Sequence, residues 1–236
     1  IIQEYLENKN IVFTGSGSKS SRLSMDKHKS KVLCLKNKIL TPDWLVYNND
    51  MSKVKKFNNK SIVVKPSDEG SSMGLSIINR YQSNNDSKVK NLDNAILLAS
   101  EISDNILIEE YIEGRELTVG VLGKNFLPTI EIKPNNNIYD YDSKYKKGRT
   151  KYIVPASLNQ EVNKVLNRTS RKIFELFKCE QYARIDYRLS LNNKLYFLEM
   201  NTLPGFTETS LFPKAAEAVN IDYDCLVETI INGCKK

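Results

Sequence analysis

The stretch that decides the fold comprises residues 183–211, which read ARIDYRLSLNNKLYFLEMNTLPGFTETSL. Two short apolar runs, Ala183–Leu189 and Lys194–Met200, flank a pair of asparagines at 192–193. An asparagine pair between apolar runs is typical of a tight turn, so the pattern predicts a strand, a turn and a second strand. A surface hairpin with scattered charges would show the same alternation, and the residues alone leave that alternative open.

Four polar side chains give this hairpin its predicted chemistry. Side chains along a strand alternate between its two faces, so Arg184 shares a face with Asp186, and Glu199 shares one with Asn201. If the two faces coincide, one arginine, two carboxylates and one amide oxygen converge in a small volume. Carboxylate and amide oxygens are ligands that Mg²⁺ prefers, usually together with phosphates. The hairpin is therefore a candidate magnesium site.

The residues that follow the hairpin predict a site for a small ligand. Thr202–Phe206 has the composition of a turn in which Gly205 would bring its backbone close to a ligand. Ser210 is a candidate N-cap for a helix that runs through Ala216, and helix N-termini attract anions such as carboxylates. A metal cluster, a glycine turn and an anion site would thus follow one another in one segment.

Periodicity and chain-breaking residues predict the remaining elements. Helices are expected at 4–8, from a Ser24 N-cap to about 37, and at 91–100, 158–179 and 223–232. Strands are expected at 11–13, 44–46, 61–66, 76–78, 106–110, 117–122 and 130–132. Residues 133–155 are polar and lack apolar periodicity, which predicts a long irregular loop.

The composition of the 236-residue chain argues against several classes of protein. The net charge is +7, but the lysines are interleaved with Asn and Asp and form no arginine-rich run, so we expect no nucleic-acid partner. No apolar run reaches the length of a membrane span, so no membrane partner is expected either. The 4 cysteines show no metal-ligand spacing, which indicates reduced thiols and a cytoplasmic location.

The strings RID and LEMNTLPGFTETSLFPKAA resemble the C-terminal signature of D-alanine–D-alanine ligases, which belong to the ATP-grasp superfamily. Further strings follow in the family's order: TGSG with SMDK, VKPS-x-EGSS-x-G, and YDYDSKY within the predicted loop. The resemblance implies an α+β chain with an ATP-grasp fold, in which two lobes enclose the nucleotide. It divides the chain into a remnant of an N-terminal domain at 1–24, a central lobe at 25–113 and a C-terminal lobe at 114–236.

The resemblance also implies roles for individual residues. The ATP contacts would be Lys27, Lys65, Ser71, Ser72, Glu109, Tyr111, Ile112, Glu116 and Lys144. The metal ligands would be Asp186, Glu199 and Asn201. The catalytic groups would be Ser71, Lys144, Tyr145, Arg184 and Gly205. The D-alanine substrates would contact Tyr145, Arg184, Gly205, Ser210 and Leu211.

Within this set, the lysines would bind phosphate, and Ser71 and Ser72 would form a movable flap over it. Glu109 would lie on the adenine side and Glu116 at the ribose, while residues 133–155 would form a mobile lid. The residues alone allow plainer interpretations. Lys27 would be a solvated helix lysine, and the phosphate loop an ordinary hairpin loop. The segment that contains both glutamates would be only a strand and a hairpin.

The activity that the resemblance implies is the ATP-dependent joining of two D-alanines through an acyl phosphate. It implies ATP, two Mg²⁺ (or Mn²⁺) ions, a role in peptidoglycan precursor synthesis and, for a full-length protein, a homodimer. The family's N-terminal domain, which grips the first D-alanine, is absent beyond the segment up to about Ser24. Three hypotheses stay open: a ligase whose first domain is supplied separately, an inactive nucleotide-binding remnant, and another ATP-grasp carboxylate–amine ligase or a basic interaction module.

Tyr145 predicts the choice of the second substrate. In the family, tyrosine in this lid motif goes with dipeptide formation, and phenylalanine with depsipeptide formation. We expect a preference for D-alanine over D-lactate. We expect Tyr145→Phe to raise the relative use of D-lactate at low pH, where the competing amine is more fully protonated. The measurement is the product ratio against pH, with both acceptors and the upstream domain present. Wild-type product that is mainly D-alanyl-D-lactate at neutral pH would contradict this prediction, and D-serine stays open as an acceptor.

Overall fold

The computed structural model describes residues 2–80, 85–134, 150–207 and 209–234, with the backbone alone at 85–89. The helices are α1 (Ile2–Asn8), α2 (Ser18–Met25), α3 (Lys27–Lys36), α4 (Met51–Val54), α5 (Asn85–Ser100), α6 (Gln160–Leu176), α7 (Leu211–Glu217) and α8 (Tyr223–Asn232), with a 3₁₀ turn at Lys55–Phe57. The strands are β1 (Trp44–Tyr47), β2 (Ile62–Pro66), β3 (Ser76–Ile78), β4 (Ile106–Glu110), β5 (Gly114–Leu122), β6 (Asn125–Phe126), β7 (Ile130–Pro134), β8 (Thr150–Ile153), β9 (Tyr182–Ser190) and β10 (Leu195–Asn201). The predicted α+β class is confirmed.

The smaller sheet has 4 antiparallel strands in the order β1-β4-β2-β3. Helix α5 covers one face of it, because Leu92, Ala95 and Ala99 recur at helical spacing and pack onto Val64 and Ile108. Strand β4 lies between β1 and β2, and its chain continues directly into the larger sheet through residues 111–113. The two sheets are therefore joined by a very short connection.

The larger sheet has the order β10-β9-β5-β7-β8, with β6 paired to β5. Strand β9 lies between β10 and β5, and its burial alternates along nearly its whole length. Ile185 and Tyr187 are completely buried, and Leu189 is 2% exposed. The alternate residues of β9 project from the opposite face, so this strand has one apolar face and one polar face. The apolar face meets α6.

Helix α6 packs behind the hairpin, as its apolar spacing predicts. Its N-cap is Asn159, whose side chain accepts a 2.8 Å hydrogen bond from the backbone N–H of Val162. Leu166 and Ile173 are fully buried in the same core as β9 and β10. The helix is shorter than the predicted range of 158–179, although Phe177 continues the buried stripe past its end. Within the described ranges, no helix has both the length and the apolar character needed to cross a bilayer.

The predicted hairpin of β9 and β10 is confirmed, and it contains one irregularity. The register shifts between Phe197 and Glu199, which marks a bulge at Leu198. Phe197 and Met200 point into the core, whereas Leu198 and Glu199 both line the open side of the sheet. The bulge thus directs two consecutive side chains to the polar face.

Three local predictions are wrong. The predicted strand at 11–13 is not one of the described strands, and the Ile11 N–H instead bonds to the carbonyl of Leu6 at the end of α1. Ser24 lies inside α2, and Asp26 caps α3 by accepting a 2.9 Å hydrogen bond from the N–H of Lys29. The predicted irregular loop contains the end of β7 and all of β8, while residues 135–149 lie outside the described residues. Two other elements are longer than predicted, since α5 begins at 85 and β5 at 114.

Lys31 on α3 is a buried cation that the sequence did not single out. Its side chain has no exposed area, and its Nζ lies 2.8 Å from a carboxylate oxygen of Glu109. The same nitrogen donates a 2.7 Å hydrogen bond to the hydroxyl of Thr41. Burial lowers the pKa of Lys31 from 10.5 to about 8, because the Glu109 carboxylate only partly offsets the loss of hydration.

This lowered pKa predicts a rise in stability at alkaline pH. Between about pH 8 and 10.5, the unfolded chain binds a proton at Lys31 that the folded chain has released, so stability increases with pH. We expect the free energy of unfolding of the wild type, minus that of Lys31→Met, to increase by up to about 3 kcal/mol over this range. Urea denaturation at several pH values measures the difference. The control is Lys36→Met, an exposed lysine of the same helix, and a difference that stays constant for Lys31→Met would contradict the prediction.

Candidate active site

A cleft with about 890 Å³ of empty space opens between the two sheets. Strands β2 and β4 of the smaller sheet form one wall, and β9 and β10 of the larger sheet form the other. A second cleft of about 1450 Å³ adjoins it, and the two share Lys27, Glu69, Gly70 and Glu199 in their linings. The shared residues define the junction, where a ligand in the first cleft would meet one in the second.

Lys27 lies at this junction and connects three elements. Its backbone N–H donates a 2.9 Å hydrogen bond to the Ser67 carbonyl, and its Nζ donates to the Glu69 carbonyl. The same Nζ lies 3.6 Å from a carboxylate oxygen of Glu199 on β10. Lys27 is 6% exposed, so the solvated helix lysine that its sequence context allowed is not what the structure shows.

Lys65 lies deeper in the cleft, beside the buried carboxylate of Glu109. The Lys65 Nζ donates to one oxygen of Glu109, and Lys31 forms an ion pair with the other oxygen. Burial alone would raise the pKa of Glu109, but the two lysines together outweigh it and hold the pKa below the ordinary value. Glu109 lines the cleft, yet its charge is directed at two lysines, so its predicted contact with adenine stays a prediction.

The loop at 67–75 has a fixed base and an exposed tip. Its base is held because the Ser67 N–H donates to the Asn105 carbonyl at 2.7 Å and Asp68 accepts a 2.6 Å hydrogen bond from the Ser103 hydroxyl. At the tip, Ser71 and Ser72 have φ values of 56° and 57°, a left-handed conformation that turns successive N–H groups toward one side. Their predicted role as a phosphate flap is not tested by this geometry and stays a prediction.

The two polar faces of the hairpin coincide, as the sequence predicts. In the ladder, Asp186 lies opposite Glu199, and Arg184 lies opposite Asn201. The Arg184 guanidinium donates to both oxygens of Asp186, at 3.0 and 2.9 Å. The hydroxyl of Thr118 on β5 donates to the same carboxylate at 2.6 Å. One arginine, two carboxylates and one amide therefore lie next to one another: Asp186 lines the first cleft, Arg184 and Asn201 line the second, and Glu199 lines both.

This donor set suits Mg²⁺ in its chemistry. It offers hard oxygen atoms from Asp186, Glu199 and Asn201 on neighbouring strands, with Lys27 beside Glu199. In the described part of the chain, no group of three or more His, Cys, Asp or Glu side chains is gathered as a ready metal cluster. Two carboxylates and one amide would leave coordination positions of a metal ion for oxygen atoms of a ligand.

The second cleft brings together Arg184, Gly205, Ser210 and Leu211. Ser210 occupies the predicted N-cap position of α7, but its hydroxyl accepts a 3.1 Å hydrogen bond from the Thr207 N–H and makes no capping bond to the helix. A Cβ at Gly205 would lie 2.8 Å from the Ser210 Oγ, so a larger residue there requires the Ser210 side chain to move. The predicted role of the Gly205 backbone beside a ligand stays a prediction.

The structure brings together the predicted residues Lys27, Lys65, Ser72, Glu109, Tyr111, Ile112, Glu116, Asp186 and Glu199 in the first cleft, and Ser71, Arg184, Asn201, Gly205, Ser210 and Leu211 in the second. Lys144 and Tyr145 lie outside the described residues. The sequence reasoning missed Lys31 and Arg188. Both carried a usable signal, because Lys31 is one helical turn beyond Lys27 and Arg188 is two residues beyond Asp186 on the same strand face.

Comparison with known proteins identifies the family of the chain. The family model described as "D-ala D-ala ligase C-terminus" matches residues 37–232. The D-alanine–D-alanine ligase of Syntrophotalea carbinolica is 38% identical over 98% of this chain and 73% of its own length. The chain belongs to the D-alanine–D-alanine ligase family.

Solved structures of this family support the fold. The crystal structure of the D-alanine–D-alanine ligase from Bacillus anthracis superposes with a TM-score of 0.82 at 33% identity, covering 98% of this chain and 74% of that one. The same enzyme complexed with ATP superposes with a TM-score of 0.79 at 31% identity, covering 98% of this chain and 73% of that one. The ATP-grasp fold that the sequence predicts is confirmed.

The contact between Gly205 and Ser210 predicts a coupled effect on stability. Gly205→Ala would force the Ser210 hydroxyl out of its hydrogen bond with Thr207, which costs about 1 kcal/mol. In a Ser210→Ala background, the same change should cost clearly less. The hydroxyl is then absent, and the new Cβ meets only the Cβ of residue 210, at 3.5 Å. A double-mutant cycle from urea denaturation measures the coupling. Strictly additive effects would show that the two residues do not constrain each other.

Proposed function

We propose that this chain carries the ATP-dependent chemistry of a D-alanine–D-alanine ligase, with ATP, Mg²⁺ and D-alanine as its ligands. The observation that carries the proposal is the pairing of Asp186 with Glu199 and of Arg184 with Asn201 at the junction of two clefts. Phosphoryl transfer is catalysed mainly by charge neutralisation and alignment. A cluster of metal ligands and cationic side chains between a nucleotide cleft and a substrate cleft would supply both charge neutralisation and alignment.

ATP would occupy the first cleft. Its base and ribose would lie against the connection between the sheets, at Tyr111, Ile112 and Glu116. Its phosphates would extend toward Lys27 and Lys65 at the junction. Ser71 and Ser72 would close over the phosphates from the loop at 67–75, and Lys144 would approach from the lid.

Two Mg²⁺ or Mn²⁺ ions, when bound by Asp186, Glu199 and Asn201, would supply neutralisation of charge on the transferring phosphoryl group. Arg184 keeps Asp186 in place through two hydrogen bonds. Thr118 adds a third contact to the same carboxylate from the neighbouring strand β5. The acid is therefore oriented before any ligand arrives, which favours a fixed geometry in the site.

The first D-alanine would lie in the second cleft with its carboxylate at the junction. One carboxylate oxygen takes the γ-phosphoryl group, which gives an acyl phosphate and ADP. The amine of the second D-alanine then attacks the acyl carbon, loses a proton and expels phosphate as the amide bond forms. Arg184 and the N–H of Gly205 would stabilise the oxyanion of the tetrahedral intermediate. Ser210, Leu211 and Tyr145 would hold the second D-alanine.

The proposal extends to the organisation of the chain and its setting. We propose that residues 1–24 belong to an N-terminal domain and that they are followed by a central lobe at 25–113 and a C-terminal lobe at 114–236. The smaller and larger sheets, which lie within 44–110 and 114–201, support the second boundary. Cys34 and Ile39 nevertheless pack into the core of the larger sheet, so the lobes share side chains. A homodimer acting in the cytoplasm on peptidoglycan precursors completes the proposal.

The first test of this function is metal-dependent nucleotide binding. We expect Mg²⁺-dependent heat in calorimetric titration of the chain with a non-hydrolysable ATP analogue at millimolar concentration. Glu199→Gln should weaken this binding about tenfold, because one negative ligand is lost while its shape is kept. Glu161→Gln, an exposed position on α6 behind the sheet, is the matched control and should leave the affinity unchanged. The absence of Mg²⁺-dependent heat from the wild type would refute the proposal.

A further inference from the structure

Arg188 lies on the polar face of β9, the same face as Arg184 and Asp186. In the ladder it lies opposite Glu116 on β5 and Tyr196 on β10, so it has a paired strand on each side. Its side chain is 12% exposed and lines the first cleft. A nearly buried arginine normally has dense hydrogen bonding, because desolvation of its charge is costly.

The guanidinium of Arg188 contacts the whole connection between the two sheets. Its Nε donates to the Ile112 carbonyl at 3.0 Å. One terminal nitrogen donates to the Gly114 carbonyl at 3.0 Å and to the Tyr111 hydroxyl at 3.1 Å. The other terminal nitrogen lies 3.4 Å from a carboxylate oxygen of Glu116. One planar fork therefore reaches both ends and the middle of a single short segment.

The same side chain also fixes the ring of Tyr111. The guanidinium carbon of Arg188 lies 5.0 Å from the centre of that ring, within the range of a cation–π contact. Tyr111, Ile112 and Glu116 are the residues at which the proposed function puts the base and the ribose. Arg188 thus contacts all three of these residues.

The segment needs such an anchor, because its own backbone is unusually shaped. Gly114 has φ of 141°, which residues with a side chain rarely adopt. A Cβ at this position would lie 2.1 Å from the Leu189 carbonyl oxygen, so β5 begins in close contact with β9. Without Arg188, the carbonyls of Ile112 and Gly114 would lose a charged donor at the place where the chain passes between sheets.

We propose that Arg188 is a positioning residue that holds the segment from Tyr111 to Glu116 in the shape that receives the nucleoside of ATP. The proposal rests on the function proposed above and adds a residue to it. Arg188 would act on the base and ribose through other residues, and it would have no part at the phosphates. Its removal should therefore weaken binding of ATP without affecting binding of a triphosphate that lacks a nucleoside.

The test compares two probes and three variants by calorimetry with Mg²⁺ present. The probes are a non-hydrolysable ATP analogue and inorganic tripolyphosphate. Arg188→Met keeps the apolar stem and removes the fork, while Arg188→Lys keeps the charge. The control is Arg115→Met, which breaks a bidentate pair with Glu131 on the opposite face of the same sheet. Thermal denaturation of every variant checks that it is folded.

We expect Arg188→Met to weaken binding of the ATP analogue about 10- to 100-fold, with tripolyphosphate binding unchanged within about twofold. Arg188→Lys should bind the analogue with an intermediate affinity, because a lysine pairs with Glu116 but cannot reach both carbonyls. Arg115→Met should lower the melting temperature and leave both affinities unchanged. If Arg188→Met does not fold, Arg188→Lys tests the inference: its affinity for the ATP analogue should fall relative to its affinity for tripolyphosphate.

Three results would overturn the inference. These are an unchanged affinity of Arg188→Met for the ATP analogue, equal weakening of both probes, and a loss of analogue affinity in Arg115→Met as large as that in Arg188→Met. If one of these results is found and the wild type binds the ATP analogue, the inference fails but the proposed function stands. A wild type that binds neither probe refutes the proposed function and the inference with it.

Discussion

The antiparallel pairing of β9 between β5 and β10 is the constraint on which the rest of the structure depends. Ile185, Tyr187 and Leu189 must fill the core against α6, and that requirement fixes which face of the strand is buried. A slip of one residue would carry Arg184 and its charged neighbours into an apolar core at a high energetic cost. The hydrophobic effect therefore sets the register, and the register brings the polar residues of the site together.

One charged network beside the cleft links the two sheets. Glu109 on β4 holds Lys65 on the neighbouring strand β2 and Lys31 on α3. Lys31 also bonds to Thr41, whose hydroxyl donates a 3.0 Å hydrogen bond to the Phe197 carbonyl on β10. A buried ion pair is a poor source of net stability, since desolvation offsets most of its attraction. Its use here is geometric, because it places a lysine amine in the cleft at a defined distance from both sheets.

The sequence predicts those features that depend on local pattern. The hairpin follows from alternation and an Asn–Asn turn, and β4 and α8 have the bounds that their patterns predict. The failures have tertiary causes. Residues 11–13 have strand propensity, but they pair with no strand in the described fold, so propensity alone does not decide their structure. The bulge at Leu198 is invisible because its cause is a hydrogen bond from the Phe197 N–H to the Leu40 carbonyl, far away in sequence. The spacing of Lys31 from Lys27 is visible in the sequence, but its burial is not, since its charged partner Glu109 lies far away in the chain on β4.

The larger sheet also shows how identical residue types acquire different roles. On β5, Arg115 and Glu116 are adjacent and therefore face opposite sides of the sheet. The Arg115 guanidinium donates to both oxygens of the Glu131 carboxylate, so its orientation depends on a partner within the same sheet. The guanidinium of Arg188, opposite Glu116, donates to the backbone carbonyls of Ile112 and Gly114, at the connection between the sheets and the start of β5. A guanidinium that bonds to one carboxylate, as in Arg115 with Glu131, stabilises two strands that are already paired. A guanidinium that bonds to the carbonyls of Ile112 and Gly114 instead holds the unpaired connection against the start of β5, and here that connection lines the cleft.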